Sequence, residues 1–470
     1  MKIWAIATAI MGLGMFSNAY SHGIEGNKTA KIMKLKPVDF EKTLRSLKAE
    51  GRDIAGIDIE NKTIDLIIRE GEVSSDEVLS ESIEIKEVDL LAAPDSGYHT
   101  PDEVAQSLER LANDYPEISR LEVIGQSLEG RDIYALKISD NPEVRESDEP
   151  TVLFNSMHHA REVMTTEVAI DIAEQLLSQY DQDSEITSYV NDTEIWVLPM
   201  LNVDGNNIVW TRSNMWRKNA REGYGVDINR NYPHKWGACN GSSSWKSSQT
   251  YRGPSAASEP ETNVLMNLVR RIQPVFNISY HSYSELVLYP YGCEGERVEQ
   301  RNIVEGIGQT LASKLVKDSG SGTYRPGTPW EILYGVDGGD VDWMYNEQGV
   351  IPYVIELNAS SQGFQPSYSR WRQPTVEKQR AGWKYLIERA HQSGIRGIIT
   401  GLDQGFNSLI SVANLNNRSE PIMTHNVKND GSYHIVLDPG MYEITYTVNG
   451  ESITKEFVVG NELIRENLNF

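Results

Sequence analysis

Three side chains of metal-ligand type stand where a folded chain could bring them together. His159 and Glu162 lie three residues apart after the apolar run 151–154, and His281 directly follows a second apolar run, 275–280. This spacing predicts that His159 and Glu162 share one face of the first turn of a helix. His281 is expected at the carboxyl end of a strand, where α/β sheets hold their sites. Two histidines and a carboxylate leave a tetrahedral zinc ion one position for water, as in catalytic zinc sites.

An H-x-x-E pattern is weak evidence by itself, because a histidine at a strand end is more often a hydrogen-bonded structural residue. Asp227 is a candidate to hold a ligating histidine through a hydrogen bond. Cys239 and Cys293 are the two cysteines, and the sequence leaves open whether they pair. Neither lies in a recognisable nucleophile context, which disfavours thiol catalysis.

The elements that would position these residues alternate between strands and helices from residue 98 to 392. Short apolar runs typical of buried strands occupy 151–154, 195–198, 275–278 and 353–355. Helical periodicity is found at 102–115, 165–179, 259–272 and 376–391. This alternation predicts an α/β domain around a mixed, mostly parallel sheet flanked by helices.

Smaller units are predicted on both sides of this domain. In residues 22–97, a helix at 40–47 and a hairpin around Asn61-Lys62 indicate a small α+β unit that ends in a linker near 92–97. In residues 393–470, strand-like runs separated by turn signals such as Asn449-Gly450 indicate a small all-β sandwich.

The first 21 residues predict a secretory signal peptide. A short positive start, Met1-Lys2, precedes an uncharged stretch, 3–16, and the following segment places small residues, Ser17, Ala19 and Ser21, at the positions that a signal peptidase requires. A membrane anchor is the alternative, but the run is short for a span, and no later segment holds about 18 uninterrupted apolar residues. We therefore expect a secreted protein, extracellular or periplasmic, without a membrane span once the signal is removed.

Composition and charge exclude several classes of protein. The chain is 39% apolar and 24% charged, which is unlike a disordered chain or a polytopic membrane protein. Its 67 acidic and 44 basic side chains give a net charge of −23, so nucleic acid is not expected as a partner. Acids are dense in the N-terminal unit: Glu70, Glu72, Asp76, Glu77, Glu81, Glu84, Glu87 and Asp89.

The middle region resembles the zinc carboxypeptidases of the carboxypeptidase A, B and T type over about residues 98–392. The resemblance rests on five motifs in family order: His159-Ala160-Arg161-Glu162, Asn214-Met215-Trp216-Arg217-Lys218-Asn219, Gly225-Val226-Asp227-Ile228-Asn229-Arg230-Asn231, His281-Ser282-Tyr283-Ser284, and Gly338-Gly339-Asp340-Val341-Asp342-Trp343 with Glu356-Leu357 downstream. The stretch 234–253 is especially similar to bacterial carboxypeptidase T. Carboxypeptidase A is itself a known case of a His₂Glu zinc site.

The resemblance implies a zinc metallocarboxypeptidase that removes the last residue of peptides or proteins with a free C-terminal carboxylate. It implies one Zn²⁺ held by His159, Glu162 and His281, and Glu356 as the general base for a zinc-activated water. Other implied roles are oxyanion stabilisation by Arg217, carboxylate binding by Arg230 and Asn229 with Tyr334 closing over it, and more distant substrate contacts by Arg161, Tyr283 and Phe364.

The resemblance also implies a pocket for the departing side chain, lined by Leu288, Gly292, Val336, Gly339, Val341 and Val354. An apolar residue at Val341 predicts a preference for hydrophobic C-terminal residues. Asp340 stands beside it and keeps a mixed or basic preference open. If this stretch is extended, only one of the two side chains faces the pocket.

By the same resemblance, residues 22–97 correspond to a propeptide that covers the cleft and is cut off, and residues 393–470 to a transthyretin-like β-sandwich. A permanent accessory domain is the alternative for the first unit. Less favoured functions on this scaffold are a cell-wall peptidase, expected to depart at the Asn229-Arg230 pair, and a non-enzymatic binding protein, expected to lack a ligand or the base. All of these residues are present.

Overall fold

The structure is a computed structural model that describes residues 29–59, 61–69, 81–318, 320–401, 408–417, 424–428 and 430–470. The predicted signal peptide, residues 1–21, lies outside the described residues. So do four of the N-terminal acids, Glu70, Glu72, Asp76 and Glu77. Among the helices within the described ranges, none is long and apolar enough to cross a membrane.

An eight-stranded mixed sheet forms the centre of the middle region. Its strands are β5 (Ser119–Gln126), β6 (Asp132–Ile138), β7 (Thr151–Ser156), β8 (Glu194–Leu198), β9 (Phe276–Ser282), β10 (Leu286–Leu288), β11 (Arg325–Gly327) and β12 (Ile351–Leu357). They lie in the order β11-β10-β12-β9-β7-β8-β6-β5. The neighbours β12, β9, β7 and β8 run parallel to one another. The predicted mixed, mostly parallel sheet is therefore confirmed.

Helices cover this sheet, so that β7, β8 and β9 are buried along their whole length. The helices are α2 (Pro101–Asp114), α3 (Met164–Ser178), α4 (Ser184–Asp192), α5 (Val203–Thr211), α6 (Pro260–Ile272), α7 (Arg301–Lys314), α8 (Pro329–Ile332), α9 (Asp340–Gln348) and α10 (Tyr368–Ala390). Helices α3 and α10 pack on each other and on β7 and β9. Short 3₁₀ turns lie at Arg221–Gly223 and Ile228–Arg230.

In its described residues, the N-terminal unit is a four-stranded antiparallel sheet packed with a helix. It comprises β1 (Thr29–Leu35), α1 (Phe40–Ala49), β2 (Asp53–Asp58), β3 (Thr63–Arg69) and β4 (Ser82–Asp89), in the sheet order β2-β3-β1-β4. The predicted hairpin around Asn61-Lys62 is present, with Asp58 opposite Thr63.

The C-terminal residues form two small four-stranded sheets. Their strands are β13 (Gly394–Thr400), β14 (Ser408–Asn414), β15 (His425–Asn426), β16 (Ser432–Val436), β17 (Gly440–Val448), β18 (Glu451–Val459), β19 (Leu463–Arg465) and β20 (Leu468–Asn469). One sheet has the order β16-β13-β19 with β20 also on β13, and the other has the order β15-β14-β17-β18. The predicted all-β character of this unit is confirmed.

One disulfide ties two loops of the middle region together. Cys239 and Cys293 are bonded across 54 residues of sequence. The backbone N–H groups of Cys239 and Gly241 both donate to the carboxylate of Asp337 (3.0 Å each). The bond and these contacts hold the loop that supports Arg230, whose Nε donates to the Gly241 carbonyl (3.0 Å).

Candidate active site

The three predicted metal ligands meet where β7 and β9 end. His159 and Glu162 follow β7, and His281 lies at the end of β9, the next strand in the sheet. The prediction that the first two lie on a helical turn is wrong, because α3 begins only at Met164. Instead the Glu162 N–H donates to the His159 carbonyl (3.1 Å), and Ser282 N–H donates to the Glu162 carboxylate (3.2 Å). These bonds hold both side chains at the sheet edge before the helix starts.

The ligand atoms of these three residues lie within 4.8 Å of one another. His159 Nδ1 is 2.8 Å from Glu162 Oε1, and His281 Nδ1 is 3.1 Å from Glu162 Oε2 and from His159 Nδ1. Two imidazole nitrogens and a carboxylate therefore face one point. This donor set, fully buried and with both Nδ1 atoms inward, fits zinc.

Asp227 lies behind the ligands. Its Oδ1 is 3.2 Å from Nε2 of His159, and its carboxylate also accepts from Arg217 Nη2 (2.9 Å) and the Asn229 N–H (3.0 Å). Burial opposes its charge, but Arg217 and Arg230 hold the pKa of this carboxyl well below its ordinary value. The contact with His159 is the one that the sequence prediction for Asp227 requires, and it leaves Nδ1 of His159 facing Glu162 and His281.

Glu356 is placed by sheet register. In the parallel pair β9–β12 it lies directly opposite His281, and in the antiparallel pair β10–β12 opposite Leu286. Residues opposite each other point to the same face, so its carboxylate shares the edge that holds the ligands. Burial, with Glu162 nearby, raises the pKa of Glu356 to about 7. A bound cation would lower it again and favour the carboxylate form.

Two buried arginines flank this edge. Arg217 is bonded to Asp227, and its Nη1 lies 4.0 Å from Glu162. Although burial disfavours its charge, these carboxylates keep the pKa of Arg217 above its usual value. Arg230 donates through Nε and Nη1 to the carbonyls of Gly241 and Asn229. Gly338 is required beside it, because φ is +65° and a Cβ would lie 2.5 Å from the Arg230 carbonyl.

The apolar pocket residues Leu288, Val341 and Val354, predicted from the resemblance, lie together. The backbone at Asp340 and Val341 differs from the expectation. Asp340 and Val341 begin α9 and are not extended, so that prediction is wrong. They still point apart, because successive helical residues differ by about 100°. Val341 joins an apolar cluster with Leu288 and Val354, whereas Asp340 lies 3.6 Å from Nε2 of His158.

The remaining pocket positions are linked by backbone contacts. Val336 N–H donates to the Gly292 carbonyl (2.9 Å), and Gly339 lies against the Val336 side chain. Gly292 N–H donates to the carboxylate of Asp342 (2.9 Å). The sequence analysis assigned no role to Asp342, although it stands in one of the five motifs. Burial raises its pKa to about 7.

The outer substrate residues are covered by the N-terminal unit. Arg161 forms a two-pronged ion pair with Asp53 (3.0 Å for each nitrogen) and stacks on Phe364 at 4.1 Å. Phe364 also contacts Tyr283 (4.8 Å between rings), whose hydroxyl donates to Asp65 (3.0 Å).

Lys48 completes this cover. Its Nζ donates to the Gly335 carbonyl (3.3 Å) and lies 5.6 Å from the ring of Tyr334. The sequence patterns described above gave no role to Asp53, Asp65 or Lys48. Asp53 and Asp65 could have been found from the sequence, because each is an acid within a strand of otherwise mainly apolar residues. The described members of the acidic run, Glu81, Glu84, Glu87 and Asp89, form no ion pair with Arg161, Arg217 or Arg230.

Comparison with known proteins identifies the class that this fold and site define. The chain belongs to the zinc carboxypeptidase family, whose profile matches residues 104–381. Mouse carboxypeptidase A2 is 31% identical over 62% of this chain and 70% of its own length. A zinc carboxypeptidase of Saccharothrix mutabilis subsp. capreolus is 36% identical over 58% of this chain and 64% of its own length.

The fold agrees with solved structures. The carboxypeptidase A of Helicoverpa armigera superposes with a TM-score of 0.64 at 22% identity, covering 77% of this chain and 96% of that one. The protein is thus a zinc metallocarboxypeptidase, a hydrolase whose cofactor is zinc, and the cluster at 159, 162 and 281 fits that ion.

Asp227→Asn is expected to weaken zinc binding by about 10- to 100-fold, because the amide no longer holds the His159 ring as an anion does. Zinc retention during titration with a chelator measures the effect. Asp171→Asn is the matched control, since Asp171 is also buried and paired with an arginine, Arg380 (2.7 Å). Equal zinc loss in both variants would contradict a specific role for Asp227.

Proposed function

We propose that the chain is a secreted zymogen of a metallocarboxypeptidase that prefers hydrophobic C-terminal residues and uses Glu356 as its general base. The proposal is carried by the direct pairing of Glu356 with His281 across β9 and β12. That register puts a free carboxylate beside the metal ligands. The rest of the cleft supplies what binding of a C-terminal residue requires, which is a site for its carboxylate and a pocket for its side chain.

The chain's own residues account for the remaining steps. Bound zinc supplies a Lewis acid that polarises the scissile carbonyl and lowers the pKa of a water molecule. Glu356 accepts a proton from the attacking water on its carboxylate and returns it to the leaving amine nitrogen. The Arg217 guanidinium stabilises the negative charge that develops on the carbonyl oxygen, by about 3 kcal/mol by analogy with other oxyanion donors.

Substrate orientation depends on Arg230 and Asn229. A guanidinium matches a carboxylate through two parallel hydrogen bonds, and Arg230 is preorganised by its bonds to backbone carbonyls. Asn229 is fixed because its side-chain oxygen accepts from the Asp340 N–H (2.9 Å). Tyr334, half-buried at the rim, closes over the bound end. An intact Asn229-Arg230 pair favours a carboxypeptidase over a cell-wall peptidase.

Glu356→Gln is expected to abolish hydrolysis while zinc stays bound, because an amide cannot take the proton from water. Protein cut before Tyr98 is offered blocked dipeptides ending in Phe, Leu, Lys, Arg or Glu, with and without a zinc chelator, and its zinc content is measured. Gln362→Glu, an acid-amide exchange outside the metal cluster, serves as the control. Absence of hydrolysis by the zinc-loaded parent would refute the function, and zinc loss in Glu356→Gln would mean that Glu356 is misassigned.

The side-chain preference follows from the apolar cluster around Val341. Val354 lies on the same strand face as Glu356, two residues away, and pairs with Leu288 across β10. Leu288, Val341 and Val354 therefore present hydrocarbon next to the scissile bond. A mixed or basic preference is the alternative, and Asp340 is its candidate determinant. Its contact with His158 and its turn away from Val341 favour the hydrophobic preference.

Val341→Asp is expected to shift activity towards C-terminal Lys and Arg by at least about tenfold relative to Phe and Leu, because the new carboxylate would be buried without a cation unless the substrate supplies one. Val341→Leu, which keeps the pocket apolar, should keep the parent's order. The ratio of kcat/KM values measures the shift. A parent enzyme that already prefers Lys and Arg would contradict the pocket assignment.

The zymogen part of the proposal rests on the contacts between the N-terminal unit and the cleft. Asp53 is buried between Arg161 and Arg69. Burial opposes its charge, but the two guanidinium groups keep its pKa below the ordinary value. The Asp53 ion pair therefore stabilises docking at pH values above the ordinary pKa of an aspartate. This stabilisation is lost as the pH falls below that ordinary value towards the lowered pKa. Gly56 fits closely too, since a Cβ there would lie 2.5 Å from the Tyr283 ring.

Asp53→Asn is expected to raise the activity of the uncut chain by about tenfold or more, because it leaves Arg161 buried without its counter-charge and loosens the cover. Asp58→Asn is the control, since the described contacts of the Asp58 carboxylate are with Asn61 of the same unit. Hydrolysis of a blocked dipeptide is followed before and after cleavage of the 92–97 linker. Unchanged latency in Asp53→Asn would argue for a permanent accessory domain instead.

The domain layout is proposed on the same basis. Residues 1–21 are a signal that directs export to the extracellular space or periplasm, 22–97 the propeptide, 98–392 the catalytic domain, and 393–470 a transthyretin-like β-sandwich. The disulfide between Cys239 and Cys293 supports export, because such bonds persist in oxidising compartments. The partners of the proposed enzyme are peptide or protein substrates and the chain's own propeptide.

A further inference from the structure

A cavity lies between the catalytic domain and the C-terminal strands, away from the zinc cluster. Its volume is about 250 Å³. One wall is the loop 147–149, which follows β6. The other is the face of the β16-β13-β19 sheet that carries Arg396, His434 and Arg465, with Lys428 beside it. The activity described above uses none of these residues.

Sheet register brings three basic side chains into one row. Arg396 on β13 lies directly opposite His434 on β16 and Arg465 on β19. Side chains opposite each other share a face and lie close, and like charges in such positions repel. Burial, and then the charge of Arg465, lower the pKa of Arg396. The acids Asp148, Glu149 and Asp192 raise the pKa of Arg396, but not enough to restore its ordinary value.

Two buried polar atoms in this row have no hydrogen-bond partner within the described part of the chain. Arg396 is only 9% exposed, and its Nη1 is buried without a hydrogen-bond partner. Nε2 of His434 is buried without one as well. Burying an unpaired guanidinium donor costs free energy, so a native structure usually supplies an acceptor.

The carboxylates at the cavity do not fill this need. Asp148 lies 3.8 Å from Arg465, and both side chains are mostly exposed. Glu149 has a buried Oε2 without a partner, and burial raises its pKa to about 8, so it is mostly protonated at neutral pH. The cavity therefore keeps an excess of positive charge around Arg396.

We propose that this cavity binds the oxyanion group of a small molecule, a carboxylate or a phosphate, on the guanidinium of Arg396. Arg465 contributes charge from the neighbouring strand, and the planar fork of Arg396 matches two oxygens of either group. Because the ligand binds only the folded chain, its binding raises the melting temperature.

The test measures binding to the full chain by calorimetry and by thermal shift, with inorganic phosphate and acetate as separate probes and chloride keeping the ionic strength constant. Arg396→Gln is expected to weaken binding of the preferred probe at least about tenfold, and Arg465→Gln about threefold. Arg110→Gln, an exposed arginine on α2, should leave the dissociation constant unchanged. The tighter probe identifies the ligand as a phosphate or a carboxylate.

Absence of binding of both probes to the parent would overturn the proposal. So would equal binding to the parent and Arg396→Gln, which would place the anion elsewhere, including the cleft at Arg230. If Arg396→Gln does not fold, Arg465→Gln decides, because Arg465 is 66% exposed and its loss does not disturb the core. Unchanged binding in Arg465→Gln would then refute the site.

Discussion

The catalytic centre depends on one buried carboxylate. Asp227 accepts from His159, Arg217 and the Asn229 backbone. In the proposed mechanism a single side chain thus orients a zinc ligand, the oxyanion-stabilising arginine and the start of the carboxylate-binding pair. A buried anion is costly unless it is fully compensated, and here the compensation comes from the groups that need orientation. The constraint acts in both directions, because the same contacts keep Asp227 ionised.

The parallel sheet supplies the second constraint. Strands β7, β9 and β12 are neighbours, and their carboxyl ends carry the turn with His159 and Glu162, then His281, then Glu356. Parallel neighbours end at the same edge, which explains why residues up to 197 positions apart in sequence can act on one bond. The N-terminal unit closes this edge by satisfying Arg161, Tyr283 and Gly335, groups that otherwise face the cleft.

In the proposed zymogen, latency and substrate binding therefore compete for the same surface. A buried, two-pronged ion pair is strong only while both partners are present, so removal of the N-terminal unit frees Arg161 for other anions. The C-terminal unit shows the opposite situation. There the row formed by Arg396, His434 and Arg465 keeps buried polar atoms without a partner among the described residues, and the proposed ligand supplies one.

The sequence by itself determined the fold class, the metal ligands and the order of the motifs, because buried strands and ligand spacing leave local patterns. It also placed the hairpin of the N-terminal unit, whose turn is local. It could not decide that His159 and Glu162 lie in a turn before the helix, or that Asp340 and Val341 begin one. Those outcomes depend on contacts with Ser282 and Asn229, which are distant in the chain.

Only the tertiary structure decided which acid covers the cleft. The acidic run of residues 70–89 carries many charges, but a salt bridge depends on position and burial rather than on the number of charges. Asp53 meets Arg161 because the N-terminal sheet packs over the cleft, and the pairing of the two cysteines was settled in the same way. Turns, strands and ligand spacings can be predicted from neighbouring residues. Ion pairs between residues more than a hundred positions apart form only when the chain folds.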